Sequence, residues 1–439
     1  MKVGFSGFFY NSMILVYSDN ITERLRYICS FILTEQLGLD YRLTDNLSDC
    51  DDRELCIINY SDKISEGNCF NIKPAGLLFE QGIKKQHINC FDNNGTTCFF
   101  RTLGGDFHFD IFAAGFYLLS RYEEYLPHEK DFYGRFSHSE SLAFQQGFLS
   151  QPLVNIWIRE FAEALQSKFP SINFTFRSYQ AIVTYDIDIA WSYKHKGLLR
   201  NLGGFMKSPS LERLKVLMGL QKDPFDCYDE LISLHQNSKS KVIIFFPMAE
   251  KVFLYDRNIS PSKKPIQNLI KQLSSSFEIG LHPSWKSFTE QTLIQKEKNI
   301  LQSIIEKDLV HSRQHYIKFE LPSTYRNLSD AGIKYDHSMG YGSINGFRAS
   351  VASDFLWYDL AKEQITGLRL FPFCFMDANS FYEQHQDAET SLKELMYYKK
   401  ICEENNGLFI SIFHNHIIGT DKKFKGWSNM HNTFISQVQ

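Results

Sequence analysis

The stretch Ala181-Ile-Val-Thr-Tyr-Asp-Ile-Asp-Ile189 decides how this chain is read. Ala181, Ile182, Val183 and Thr184 form a run of the kind buried on both faces of a parallel sheet. The carboxyl ends of such strands build the ligand-binding rim of α/β barrels and open parallel sheets. At this exit stand two carboxylates, Asp186 and Asp188. Two residues apart, they point to one face of a regular strand, where like charges repel unless a cation or a shared proton intervenes. A metal ion is the simplest such cation. Taken alone, the pair reads first as a turn or helix cap.

Three later segments repeat the plan. Glu278-Ile-Gly-Leu-His-Pro-Ser-Trp285 is a short apolar strand that delivers His282 just before a turn. Arg313-Gln-His-Tyr316 closes a strand-like run after a helix, and Leu408-Phe-Ile-Ser-Ile-Phe-His-Asn-His416 ends in His414, Asn415 and His416. Strands that each finish in ionisable groups make a rim, and Asp, His and Arg on one rim suit metal-assisted hydrolysis.

In their order these motifs resemble the polysaccharide deacetylases of carbohydrate esterase family four, over about residues 178 to 416. Thr184-Tyr-Asp-Ile-Asp188 is similar to that family's Thr-Phe-Asp-x-Asp motif, which implies Asp186 as general base and Asp188 as metal ligand. Of the second motif, His-x-x-x-His, only the first histidine is present, as His282, and Lys286 stands at the second position. Arg313-Gln-His-Tyr316 resembles Arg-x-Pro-Tyr, with His315 replacing the proline, and implies that Arg313 orients the base. Ile412-Phe-His414 resembles the strand-end Leu-x-His that supplies the general acid.

The resemblance therefore implies a deformed (β/α) barrel of the polysaccharide deacetylase type, with Asp186, His414 and Arg313 catalytic and Asp188 and His282 holding a divalent metal, zinc. Catalytic zinc usually takes three protein ligands and a water. Candidates for the third ligand, or for cleft residues, are His315, Asp377 and His416, none of which the family pattern assigns. Asp377 reads equally as an N-cap. Expected substrate contacts are Trp285, Tyr316 and Arg348. Trp285, like Trp427, stacks on a sugar ring or packs the barrel mouth, and Arg348 grips an anionic group or makes a surface salt bridge. Asp336 is either functional or caps a turn. His195, His235, His311, His385 and His431 have no partner at ligand spacing and read as solvated or singly bonded. The implied activity is hydrolysis of an N-acyl, typically acetyl, group on an amino sugar of a polysaccharide or glycolipid. Lys286 keeps open the alternative of a catalytically decayed carbohydrate-binding or assembly protein.

Length argues for more than one domain, since 439 residues exceed the roughly 250 that such a barrel uses. Residues 1–150 are expected to form a smaller α/β domain. Its strands are Met13–Tyr17, Leu55–Asn59 and Cys98–Arg101, and its helices Ile21–Leu37 and Asp110–Tyr122. Residues 151–177, with a helix from Gln151 to Lys168 closed by Pro170, are the expected connection to the barrel of residues 178–439. Phe109–Tyr125, Gly134-Arg-Phe136 and Pro152-Leu-Val154 resemble the front part of bacterial two-domain deacetylase-like proteins.

One insertion departs from the barrel plan. Residues 194–222 carry Lys194, Lys196, Arg200, Lys207, Arg213, Lys215 and Lys222 among leucines, against one acid, Glu212. It reads as a solvated helical hairpin over the barrel mouth, or as an amphipathic lid making peripheral contact with a membrane or a lipid-linked substrate.

Composition supplies exclusions. A net charge of −3 with 22% charged residues leaves no basic field for nucleic acid and no signature of disorder. Nine cysteines without a Cys-x-x-Cys pair read as reduced thiols of a cytoplasmic protein. No apolar run reaches transmembrane length. Residues 1–12, MKVGFSGFFYNS, lack a cleavage site typical of a signal peptide, and Met13 is an alternative start. The 39 phenylalanines and 22 tyrosines serve a core or a sugar cleft alike.

Overall fold

The computed structural model describes residues 13–51, 56–65, 67–236, 238 and 240–438. The reading of residues 1–12 as lacking a leader, and Leu55 at the start of an expected strand, lie outside them.

The described chain divides into two units that do not simply follow one another. The first comprises residues up to Leu126, Pro152–Ser178 and Trp357–Thr366; the second comprises Pro127–Gln151, Tyr179–Leu356 and Gly367 onward. Residues 127–150, expected in the front domain, thus belong to the second unit, and the helix Leu153–Lys168, expected in the connection, belongs to the first.

In the first unit, β1 (Ile14–Tyr17), β2 (Tyr41–Thr44), β3 (Cys56–Tyr60) and β4 (Cys69–Ile72) form a parallel sheet in the order β2-β1-β3-β4. The short strands β5 (Phe91–Asn93) and β6 (Thr96–Cys98) form an antiparallel pair. The helix Ile111–Leu119 is buried along its whole length, which its uniformly apolar sequence allows. Its cap, Asp110, accepts the Ala113 N–H (2.9 Å), the Ala75 N–H (2.7 Å) and the Tyr60 hydroxyl (2.7 Å). Burial nevertheless pushes its pKa up to about 6.

The larger sheet contains β7 (Gln180–Asp186), β8 (Lys241–Pro247), β9 (Glu278–His282), β10 (His311–Ser312), β11 (Tyr335–Asp336), β12 (Phe355–Asp359), β13 (Gln364–Leu370), β14 (Phe375–Met376) and β15 (Leu408–His414). Its order is β12-β13-β11-β10-β9-β8-β7-β15-β14. Parallel pairing runs from β13 through to β14, and helices such as Tyr228–His235, Lys264–Ser274 and Thr292–Ile305 alternate with the strands. A run of β-then-α units produces this arrangement.

The expected deformed (β/α) barrel is met in its alternating elements and parallel sheet, but the sheet is not closed among the described residues. No ladder joins β14 to the opposite end of the sheet among the described residues. The interval is crossed by residues 371–374, which leave β11 after the Phe371 N–H bonds the Asp336 carbonyl (2.8 Å) and join β15 at Phe375. Pro372 lies within this crossing and has no N–H to give to a ladder. The irregular segment before β12 supplies single bonds instead, from Phe373 N–H to Met339 (3.1 Å) and from Gly346 N–H to Cys374 (2.9 Å).

No disulfide links the nine cysteines. No described helix is long and apolar enough to cross a membrane.

Candidate active site

Strand register brings the polar side chains level at the carboxyl end of the larger sheet. His414, last in β15, pairs with Asp186, last in β7; His282, last in β9, pairs with Pro247 of β8. Ser312 pairs with Leu281, and the Arg313 N–H donates to the Leu281 carbonyl (2.9 Å), which sets Arg313 beside His282. The two-residue period of β7 sorts its faces. Asp186 and Asp188 line a cavity of about 590 Å³, whereas the Tyr185 hydroxyl meets His235 (2.7 Å) and His431 (2.8 Å). Both histidines are buried: of the expected solvated or singly bonded states, His235 shows the second, while His431 also meets Asn432 Oδ1 (3.2 Å). His311 is likewise buried, 3.0 Å from His337 and 3.1 Å from Glu278.

Asp188, His282 and His315 each offer one ligand atom, all within 4.8 Å of one another. Asp188 Oδ1 lies 3.3 Å from His282 Nε2 and 3.5 Å from His315 Nε2, and this buried oxygen has no partner in hydrogen-bond geometry. Burial raises the carboxyl's pKa, but the neighbouring histidines, His315 foremost, outweigh it and hold Asp188 well below the ordinary range.

Each histidine is anchored through its other ring nitrogen. His282 Nδ1 is 2.5 Å from the Arg313 carbonyl, and His315 Nδ1 is 3.0 Å from Asp256 Oδ1. Such anchoring leaves Nε2 of each ring for a ligand and fixes ring orientation. One carboxylate and two imidazoles, with an orphaned buried oxygen between them, fit a divalent metal ion. Asp256 also accepts the Trp285 N–H (3.1 Å), and Glu297 accepts the Ser284 N–H (2.9 Å), so two buried acids hold the turn after His282. Burial pushes Glu297 up to about 7.

Lys286, where the resemblance calls for a second histidine, is directed elsewhere. Its Nζ lies over the Phe253 ring, 5.1 Å from the centroid. His315 reaches the site in its stead, from β10's exit.

Two charged pairs flank this group. Arg313 Nη1 donates to Asp186 Oδ1 (2.7 Å), its Nε donates to the His337 carbonyl (3.0 Å), and its guanidinium lies over Phe245 at 4.3 Å. The Phe245 ring occupies the space where a Cβ on Gly280 would stand, 2.3 Å from Cε1, so β9 needs glycine there. On the other flank His414 Nδ1 is 2.6 Å from Asp377 Oδ1, and the His414 N–H donates to Asp377 Oδ2 (2.7 Å). Burial lowers the His414 pKa, but Asp377 more than offsets this and lifts it to about 9. Asp377 thus orients His414 and is not a ligand of the Asp188 group.

The remaining expected residues separate. Tyr316 lines the cavity with Tyr133 and Tyr255. Trp285 stands behind them, stacked on Tyr255 with centroids 4.0 Å apart. Arg348 is buried away from the cavity, donating to the Gly340 carbonyl (3.0 Å) over the Phe319 ring (4.1 Å), so it does not line the site and is not a surface residue. His416 lines the cavity beside His414 but lies outside the three-residue group. Asp336 accepts from Ser312, Ser338 and the Ser338 N–H, as a buried capping acid. Trp427 is packed against Phe381.

Tyr316 and Ile317 have φ of +59° and +53°, a costly conformation for a β-branched residue. Arg135 holds this turn by donating to the Tyr316 carbonyl (2.7 Å), while Asp131 pairs with Arg135 (2.6 Å). Asp256, Glu297 and Tyr133 escaped the sequence reading, and Arg135 stood there only within Gly134-Arg-Phe136, with no role assigned. Each is a single residue in a loop or helix, and only the strand-end alternation carried a detectable signal.

Among known proteins, the family of unknown function DUF7033 matches residues 14–170. No curated protein matches. Of solved structures, a protein described as a polysaccharide deacetylase from Mycobacterium smegmatis is similar at 12% identity and a TM-score of 0.40, covering 60% of this chain and 84% of that one. A polysaccharide deacetylase from Bacillus cereus is similar at 10% identity and a TM-score of 0.31, with 60% and 88% covered. A carbohydrate esterase family four pseudoenzyme from Bacillus anthracis is similar at 10% identity and a TM-score of 0.27, with 59% and 61% covered.

Proposed function

We propose that the second unit is a metal-dependent hydrolase that removes an N-acyl group, typically acetyl, from an amino sugar of a polysaccharide or glycolipid. The observation that carries this is the placing of an Arg313–Asp186 pair and an Asp377–His414 pair on either side of Asp188, His282 and His315. Asp188, His282 and His315 would hold the ion, zinc by their donor types, and a divalent ion there supplies polarisation of the amide carbonyl and acidification of water.

The chain's own groups do the rest. Asp186, held and aimed by Arg313, accepts the proton of the attacking water. His414 gives a proton from Nε2 to the departing nitrogen as the C–N bond breaks, and Asp377 holds the opposite edge of the ring. Amide and water thereby become carboxylate and amine. Tyr133, Tyr255 and Tyr316 offer faces for a sugar ring, with Trp285 as backing. Nine cysteines without a disulfide suit a reducing compartment, the cytoplasm.

The test is metal analysis of the purified protein together with turnover on N-acetylated amino-sugar oligomers. Asp186→Asn is expected to keep the metal and lose turnover. Failure to bind zinc above background, even after adding it back, sinks the hydrolase and favours a carbohydrate-binding protein without catalysis.

A further inference from the structure

The helix Leu198–Lys207 buries none of its ten residues. Leu198, Leu199, Leu202 and Met206 are 89%, 86%, 59% and 76% exposed. At 100° per residue they fall, with the half-buried Phe205, within an arc of about 120°. Lys207 and Arg200 lie on the opposite side. The next helix, Leu211–Leu217, continues the pattern with Leu211, Leu214 and Met218 exposed and only Val216 buried. Beside them the loop after β8 exposes Val252, Phe253 and Leu254. The Arg200 guanidinium donates to the Arg257 carbonyl (2.8 Å), and Tyr255 and Arg257 line the catalytic cavity. The exposed apolar surface therefore runs up to the mouth of the candidate site.

We infer that these two helices and the 252–254 loop dock on an anionic lipid surface, lying in its interface. Charge complementarity selects this occupant. Seven lysines and arginines stand in residues 194–222 against Glu212, in a chain whose net charge is −3. Lys222 pairs with Glu230 (2.8 Å), while Lys207 and Lys215 are exposed with no acid partner among the described residues. Apolar side chains entering the headgroup boundary beneath a cationic polar face is the arrangement that binds anionic bilayers. A second copy is disfavoured, because a two-fold contact brings the same cationic surface against itself. With ten and seven residues the two helices are too short to span a bilayer, so the proposed contact is an interfacial one. For the hydrolase the consequence is a lipid-linked acylated sugar as substrate, and that clause alone rests on the function proposed above.

Flotation with vesicles of phosphatidylcholine alone and of an equimolar mixture with phosphatidylglycerol tests the docking. The full chain is expected to float with the mixed vesicles and not with phosphatidylcholine alone. Leu198→Ser/Leu199→Ser/Leu202→Ser is expected to abolish flotation. Lys207→Glu/Lys215→Glu is expected to weaken it at least about tenfold, from about fivefold per cation near a charged surface. Turnover on a water-soluble N-acetylated oligomer should be unchanged in both variants, so loss of docking and loss of catalysis are read separately. A chain that floats with neither vesicle, a triple leucine variant that floats as well as the parent, or a concentration-dependent dimer abolished by the leucine changes overturns the inference.

Discussion

Replacing Asp256 by Asn isolates the role of His315 as third metal ligand. Asp256 does not line the cavity; it holds the outer nitrogen of His315, Nδ1, at 3.0 Å and the Trp285 N–H at 3.1 Å. Asn keeps the volume and one acceptor oxygen but removes the charge that orients and polarises the imidazole. Losing such an outer partner weakens metal binding by about 10–100-fold, or roughly 1.4–2.7 kcal/mol. His315→Ala, which removes the ligand itself, should cost more than that. Lys286→His should change nothing, since the Lys286 side chain is directed to Phe253 and does not line the cavity. Competition against a zinc-binding dye measures all three. Wild-type affinity in His315→Ala, or tighter binding in Lys286→His, would refute the assignment and restore the position that the family motif prescribes.

Two further expectations concern other parts of the chain. Asp377→Asn should lower kcat by about 10²–10⁴-fold with metal content intact, because it disturbs the group that donates the proton and leaves the ion's ligands alone; equal turnover in variant and parent removes His414 from the reaction. In the first unit, Asp110 has a folded pKa raised to about 6 from an ordinary 3.8. The folded state then holds the proton to higher pH than the unfolded chain, so this group's stabilising contribution is complete below about 3.8 and is lost as pH rises through about 6. The loss is on the order of 3 kcal/mol, because each tenfold difference in proton affinity between the folded and unfolded chain is worth about 1.4 kcal/mol. Asp110→Asn, which keeps an acceptor at the helix cap, should flatten the fall in Tm across pH 4 to 7. Parallel Tm profiles for the two proteins would show that Asp110 titrates normally.

The alternation of Thr184, Asp186 and Asp188 against Tyr185 and Ile187 was legible because a strand's two-residue period depends only on local backbone geometry. Apolar runs at 182–186, 278–282 and 408–414 announced their own polar ends for the same reason. Sequence alone thus put Asp186, Asp188, His282, Arg313 and His414 at strand ends. Which of them meet was decided by register, a long-range property that pairs Asp186 with His414 across more than two hundred residues. Whether the sheet closes was also a tertiary matter, since it depends on which distant strands meet at its ends. Asp256, in a loop, and Glu297, on a helix, have no periodic signature and acquire a role only when folding sets them against His315 and the turn after His282. Arg348 marks the opposite limit: an arginine beside Phe347 reads as an anion grip or a surface salt bridge, and packing made it part of the interior. Local periodicity determined the strands and the residues they deliver; burial and register, which depend on the whole chain at once, determined which of those residues form a site.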